Sequence, residues 1–293
     1  MKPKEIYPFI SICDDFDVAE IAAKLSNTEK IAASIGNFGL LPIFEKLKRV
    51  VILCGNISEN GLKNLYRHKN LESLCFESGY FSDLNDKDGV IDLNNFRNLS
   101  ALVSSTIHNV ANLSDAENLK TLSILKWNDT DLSLLSKLKM LDSLSVGRGS
   151  LTSLVGIENS KIECLYVSNQ KRLFDISILE QCKETVKALR IDFCPNVKDF
   201  SVIKKLKNLE LLSITGNKGE LPNLDFIGNS PNLQFFVTDY NVLDGNIKPL
   251  IKLPYASILK NRRHYNLKDN DLKRVGNPKK GNENIPEWRR IFG

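Results

Sequence analysis

The apolar positions of this chain recur in a fixed frame. From Leu119 the order is Leu119, Leu122, Ile124, then Leu132, Leu135 and Leu138, with a new start at Leu141. Leu122 and Ile124 alternate with Thr121, Ser123 and Leu125, which is the period of a strand. The later leucines are spaced by threes, which suits a tight helical return. The same Leu-x-x-Leu-x-Leu core recurs at Leu47/Val50/Ile52, Leu71/Leu74/Phe76, Leu99/Leu102/Ser104, Leu141/Leu144/Val146 and Ile162/Leu165/Val167. It continues at Val186/Leu189/Ile191, Leu209/Leu212/Ile214 and Leu233/Phe236/Thr238, and fades at Leu253/Ala256/Ile258. Successive starts lie 24, 28, 20, 22, 21, 24, 23, 24 and 20 residues apart. A half-buried unit this short cannot form a core alone, so the pattern predicts copies stacked on one another.

The spacing and the core motif resemble the leucine-rich repeat, and Leu119–Leu141 resembles the repeats of bacterial internalin-like proteins most closely. The expected fold is α/β. A solenoid would carry a parallel β-sheet on its concave face, with short helices, 3-10 turns or loops on the convex face. Three regions follow. Residues 1–46 would be an N-terminal cap and an irregular first repeat, with Asp14 or Asp15 capping a short helix through Leu25. Residues 47–259 would be the repeats, and residues 260–293 a basic C-terminal capping tail. The eighth residue after each start is Asn or Cys in such repeats. Here it is Asn217, Asn241 and Cys194 late in the chain, but Gly55, Gly79, Trp127, Gly149 and Gln170 earlier. The ladder is broken, and some backbone groups need other partners. Trp127 at that position is either a structural wedge or a contact.

Charge changes the picture only at the end. The net charge is +5, yet residues 260–293 hold ten Lys/Arg and four Asp/Glu, leaving 30 against 31 elsewhere. The basic character therefore belongs to the tail. Its Lys260–Tyr265 and Trp288–Phe292 stretches mix cations with aromatics. Such a segment either seals the last repeat with Tyr265, Trp288 or Phe292, or contacts nucleic acid. The strands carry no consistent basic stripe, so sealing is the favoured reading. Six cysteines have no paired spacing, which favours a reducing compartment, and Cys75, Cys164, Cys182 and Cys194, inside the repeats, read as small buried thiols. The N-terminus has no apolar run behind its lysines, and no stretch reaches the ~20 apolar residues of a membrane span. A cytoplasmic monomer without membrane contact is expected.

No catalytic constellation assembles. There is no His-Glu-x-x-His, Cys-x-x-Cys, phosphate loop or nucleophile elbow, and His68, His108 and His264 lie far apart. Within Ser82–Gly89, Asp86, Asp88 and Gly89 fit three positions of a calcium loop. The first ligand position falls on Leu84 and the twelfth on Asn95, so an inserted polar loop fits better. Neither enzyme activity, cofactor nor metal is expected.

Binding is the remaining class. Along each strand the leucines face inward and the intervening residues face the open side of the sheet. Those positions collect Lys126, Arg148, Tyr166, Arg190, Asp192, Phe193, Asp239 and Tyr240, several of them types that dominate interface energetics. Asp192 and Asp239 share one repeat position and could meet a basic partner. The ending Arg262-Arg-His264-Tyr265-Asn resembles that of leucine-rich-repeat immunity proteins of polymorphic toxin systems. That resemblance implies binding and neutralisation of a cognate toxin domain in the cytosol. The alternative is a cytosolic scaffold or regulatory adaptor. Tight one-to-one inhibition would indicate the first, and several weak partners the second.

Overall fold

The computed structural model describes residues 10–12, 29–33, 46–52, 59–76, 90–216 and 219–274. The expected N-terminal helix, the Ser82–Gly89 loop, Asn217, Trp288 and Phe292 lie outside them. Two compact units divide the chain, residues 1–126 and 127–293. In the first, strands β1 (Ile10–Ile12), β2 (Lys30–Ala33), β3 (Arg49–Ile52) and β4 (Ser73–Phe76) run parallel in chain order. A two-residue ladder joins β5 (Ile91–Asp92) to β7 (Val110–Ala111). The main sheet resumes with β6 (Ala101–Thr106) and β8 (Thr121–Trp127), and β8 ends on the first residue of the second unit. The second unit stacks β9 (Ser143–Gly149), β10 (Cys164–Ser168), β11 (Ala188–Asp192) and β12 (Leu211–Thr215) in the same way. A small ladder pairs β13 (Glu220–Leu221) with β15 (Asn241–Val242), and β14 (Phe235–Thr238) and β16 (Tyr255–Ser257) complete the main sheet.

Registers put like positions side by side. Val50, Leu74, Leu102 and Leu122 follow one another across the first unit. Leu144, Leu165, Leu189, Leu212, Phe236 and Ala256 do so across the second. Every one of these side chains is buried. Each added repeat therefore covers the apolar edge left by the one before it. Two copies put a polar residue in the inner column, and each is satisfied locally. The Ser104 hydroxyl donates to the Thr106 carbonyl at 3.0 Å, and the Thr238 hydroxyl accepts from the Tyr240 N–H at 3.0 Å.

The returns are mostly 3-10 turns, joined by the short helices α1 (Glu59–Leu65) and α2 (Asp225–Gly228). An Asp or Asn two residues upstream starts many of them. Asp131, Asp175 and Asp199 accept the N–H of Ser133, Ser177 and Ser201 at 2.9, 2.8 and 2.7 Å, and Asn223 accepts that of Asp225 at 3.0 Å. Hydrogen bonding from Ser201 holds the Asp199 carboxyl below its usual range. Such Asx turns supply partners for otherwise orphaned N–H groups.

Two further ladders tie the repeats together. At the position expected to hold Asn or Cys, Trp127 is fully buried and its indole N–H reaches the Asp131 carbonyl at 2.9 Å. The Gln170 amide donates to the Gly147 carbonyl and accepts the Leu151 N–H at 3.1 Å. The Cys194 thiol lies 3.3 Å from the Asp192 carbonyl oxygen. A second set of asparagines sits one residue before the start. Asn118, Asn208 and Asn232 donate to the carbonyls of Arg97, Glu184 and Lys207 at 2.9, 2.7 and 3.0 Å. Gln170→Ala would strand the Gly147 carbonyl and the Leu151 N–H in the interior. It is expected to cost about 2–3 kcal/mol, read as a lowered urea midpoint with an unchanged slope. An unchanged midpoint would mean that water takes over both groups.

Past β16 the chain turns back on the last repeat. The buried Tyr265 hydroxyl accepts the Val242 N–H at 2.9 Å and donates to the Tyr240 carbonyl at 3.2 Å. A His264 ring nitrogen lies 3.0 Å from the Val242 carbonyl oxygen. Asp269 accepts the Ile258 N–H at 2.8 Å and an Arg274 N–H at 2.6 Å. The Ala256 N–H donates to the Lys273 carbonyl at 3.0 Å, and Tyr255 forms an antiparallel bridge with Arg274. The edge of β16 is thereby partly paired, which blocks strand addition there.

Candidate functional site

Strand alternation sends Leu165, Val167, Leu189 and Ile191 into the core and leaves Tyr166 and Arg190 on the open face of the second unit. The register sets these two side by side. The Arg190 guanidinium lies over the Tyr166 ring, 4.6 Å from its centroid, and its Nε donates to Asp192 Oδ2 at 2.6 Å. Asp192 is two residues along the same strand and only 3% exposed. Its other oxygen accepts the hydroxyl of Thr215, the register partner on β12. A buried carboxylate is costly unless paired and hydrogen-bonded, and here it is both. Tyr166, Arg190, Asp192 and Thr215 thus form one locked group.

The other expected residues take different places. Phe193 follows the strand with φ +53 and is 52% exposed. Its ring lies on Gly216, where a Cβ would come within 2.6 Å of it and where φ is +88. Only glycine suits that position. Asp239 accepts the Gly216 N–H at 3.0 Å, so one of its oxygens holds this turn. Its second oxygen is 3.9 Å from the half-exposed Lys260 ammonium. Tyr240 is a correction: it is only 2% exposed, not on the open face. Its ring packs edge-on against Phe200 at 5.8 Å and covers Gly219. Lys126 and Arg148 are exposed, Lys126 within the first unit. His68 is buried.

Two features escaped the sequence reading. Thr215 shares a repeat position with Asp192 and Asp239, and reading that column to its end would have found it. Two residues after each start lie Cys164, Ala188 and Leu211, which cluster with Phe235 against them. Phe235 in turn stacks on Tyr255 at 4.4 Å with the rings 6° from parallel. This apolar row runs alongside the Tyr166–Arg190 pair on the same face. Burial pushes the thiol of Cys164 up to about 12 and those of Cys182 and Cys194 up to about 11, which leaves them unreactive. Among the described residues no three His, Cys, Asp or Glu side chains converge as metal ligands, and no helix is long and apolar enough to cross a membrane.

No family model matches the sequence, and no curated protein matches it either. Solved structures do match. An internalin (inlF) of Listeria monocytogenes aligns with a TM-score of 0.56 at 15% identity, covering 83% of this chain and 70% of that one. Internalin C2 of the same organism aligns with a TM-score of 0.51 at 15% identity, covering 70% and 90%. A chain of the Toll–Spatzle complex of Drosophila aligns with a TM-score of 0.51 at 13% identity, covering 85% of this chain and 33% of that one. At such identities the likeness speaks to architecture alone, and the architecture of this chain is the leucine-rich-repeat fold.

Proposed function

We propose that this chain is a non-catalytic protein-binding repeat that neutralises an enzymatic partner, in the manner of a cytoplasmic immunity protein that occupies its cognate toxin. The observation that carries the reading is the Arg190 side chain, held between the Tyr166 ring and the Asp192 carboxylate while still about a third exposed. An arginine fixed on a strand loses little freedom when a partner docks, and Tyr and Arg are the residue types that anchor interfaces. The apolar row from Cys164 to Tyr255 supplies adjoining surface of the kind an interface core needs. A chain of this architecture occurs in the Toll–Spatzle complex.

The test is co-expression of the chain, as a monomer in the cytoplasm, with a toxic partner recovered by affinity capture from the native cell. Wild type is expected to protect growth. Tyr166→Ala/Arg190→Ala is expected to lose at least about thirtyfold in affinity, and with it protection; Asp192 loses its cation, so the melting temperature falls, while the circular dichroism at the assay temperature stays that of wild type. A folded double variant that protects as well as wild type would move the site elsewhere. A partner that binds at full occupancy yet keeps its activity would favour the scaffold or adaptor instead.

A further inference from the structure

Beside the strand face, the loops that leave β9, β10 and β11 form a second surface. Residues 148–153, 169–174 and 193–198 occupy equivalent positions in three consecutive repeats. The structure links them laterally through the Gly149–Gln170 bridge, the Phe174 N–H to the Thr152 carbonyl, and the Asn196 amide to the Lys171 carbonyl at 2.8 Å. Leu151, Leu173 and Val197 turn inward and anchor the loops. What faces outward is unusual on two counts.

The first is charge. These 18 residues include Arg148, Lys171, Arg172 and Lys198 and no Asp or Glu. All four cations are exposed, and none enters an ion pair among the described residues. The acids just beyond two of the loops, Asp175 and Asp199, each accept a backbone N–H. The second is apolar exposure. Phe174 is 61% exposed and Phe193 is 52% exposed. Large phenyl groups left in water among cations mark an interaction surface more than a solvated face.

The patch is also bounded. The equivalent stretch of the preceding repeat carries Asp129 and Asp131 against Lys126, and in the sequence the two that follow carry Glu220 against Lys218, and Asp244. Three repeats at the spacing of adjacent strands measure only about 10 Å across. A nucleic acid bound through its backbone uses on the order of 6–10 phosphate contacts, which four cations do not supply. A short acidic stretch of polypeptide with apolar side chains matches the size, sign and chemistry.

We propose that this loop flank docks an acidic segment of a protein partner. Its carboxylates would meet Arg148, Lys171, Arg172 and Lys198, and its apolar side chains would cover Phe174 and Phe193. The surface lies beside the Tyr166–Arg190 group and shares none of its residues, so it stands whether or not that group inhibits anything.

The test selects a random peptide display library on the full-length chain. Peptides rich in Asp and Glu with Leu, Phe or Trp are expected to emerge. Their affinity should fall as salt rises, and should drop at least about tenfold on Lys171→Glu/Arg172→Glu and on Phe174→Ser. These residues are exposed, so both variants are expected to keep the wild-type melting temperature. Selection of peptides without acidic residues, no selection at all, or wild-type affinity in either variant would overturn the proposal. So would a random single-stranded RNA pool that binds more tightly than the peptides and is lost on the same substitutions. Loss of toxin protection on Tyr166→Ala/Arg190→Ala with peptide binding intact would keep the two surfaces distinct.

Discussion

Leu189→Asp is expected to unfold the second unit. Leu189 is fully buried in the middle of β11, in register with Leu165 on β10 and Leu212 on β12. A carboxylate there would stand between Leu165 and Leu212, and an unpaired buried charge costs several kcal/mol after relaxation. The same substitution deletes the leucine packing, worth about 2–5 kcal/mol at such a site. Together these rival the entire stability of a typical domain, about 5–15 kcal/mol. The effect is not confined to one repeat, because the neighbours on both sides lose the surface they stack on. The measurement is thermal unfolding followed by circular dichroism, with the exposed Lys204→Ala as a control expected within about 0.5 kcal/mol of wild type. A Leu189→Asp protein with the wild-type transition would refute the stacked-column account of the core.

The inner columns were legible from sequence because period-two alternation and a constant repeat length leave one consistent register. A slip by one residue would expose every leucine. Polar ladders were less legible, because many residue types can satisfy a carbonyl. The ladder position uses an indole at Trp127, an amide at Gln170 and a thiol at Cys194. Meanwhile Asn118, Asn208 and Asn232 do related work one residue before the start, a signal visible in the recurrent Asn-Leu pair. The candidate face was legible only as far as the strands extend. Tyr166 and Arg190 lie inside β10 and β11, where alternation fixes the side. Phe193 and Tyr240 lie just past strand ends, where it does not. A left-handed backbone turns Phe193 outward, whereas Tyr240 has no such conformation and packs on Phe200. Likewise Asp192 and Asp239 share a column but not a role, since the first is locked by Arg190 and the second caps Gly216.

Removing the Tyr265 side chain should be the second-largest lesion. Tyr265 sits in the closing segment after β16, 5% exposed, with its ring edge to the His264 imidazole at 4.8 Å. Its hydroxyl completes the hydrogen bonding of two groups of the preceding repeat, the Val242 N–H and the Tyr240 carbonyl. Tyr265→Ala empties an aromatic-sized space and opens the last repeat to water, a loss of about 3–5 kcal/mol. Tyr265→Phe separates the two contributions. The ring and its packing remain, but a buried N–H is left without its acceptor, at about 1–3 kcal/mol. Urea unfolding should therefore rank wild type above Tyr265→Phe above Tyr265→Ala. Amide exchange at Val242 should accelerate in the Phe variant while the amides within β11 stay protected. If Tyr265→Phe matched wild type in both midpoint and Val242 exchange, the hydroxyl would be replaceable by water. The closing segment would then be held by Asp269 and Arg274 at the edge of β16 and not by the tyrosine.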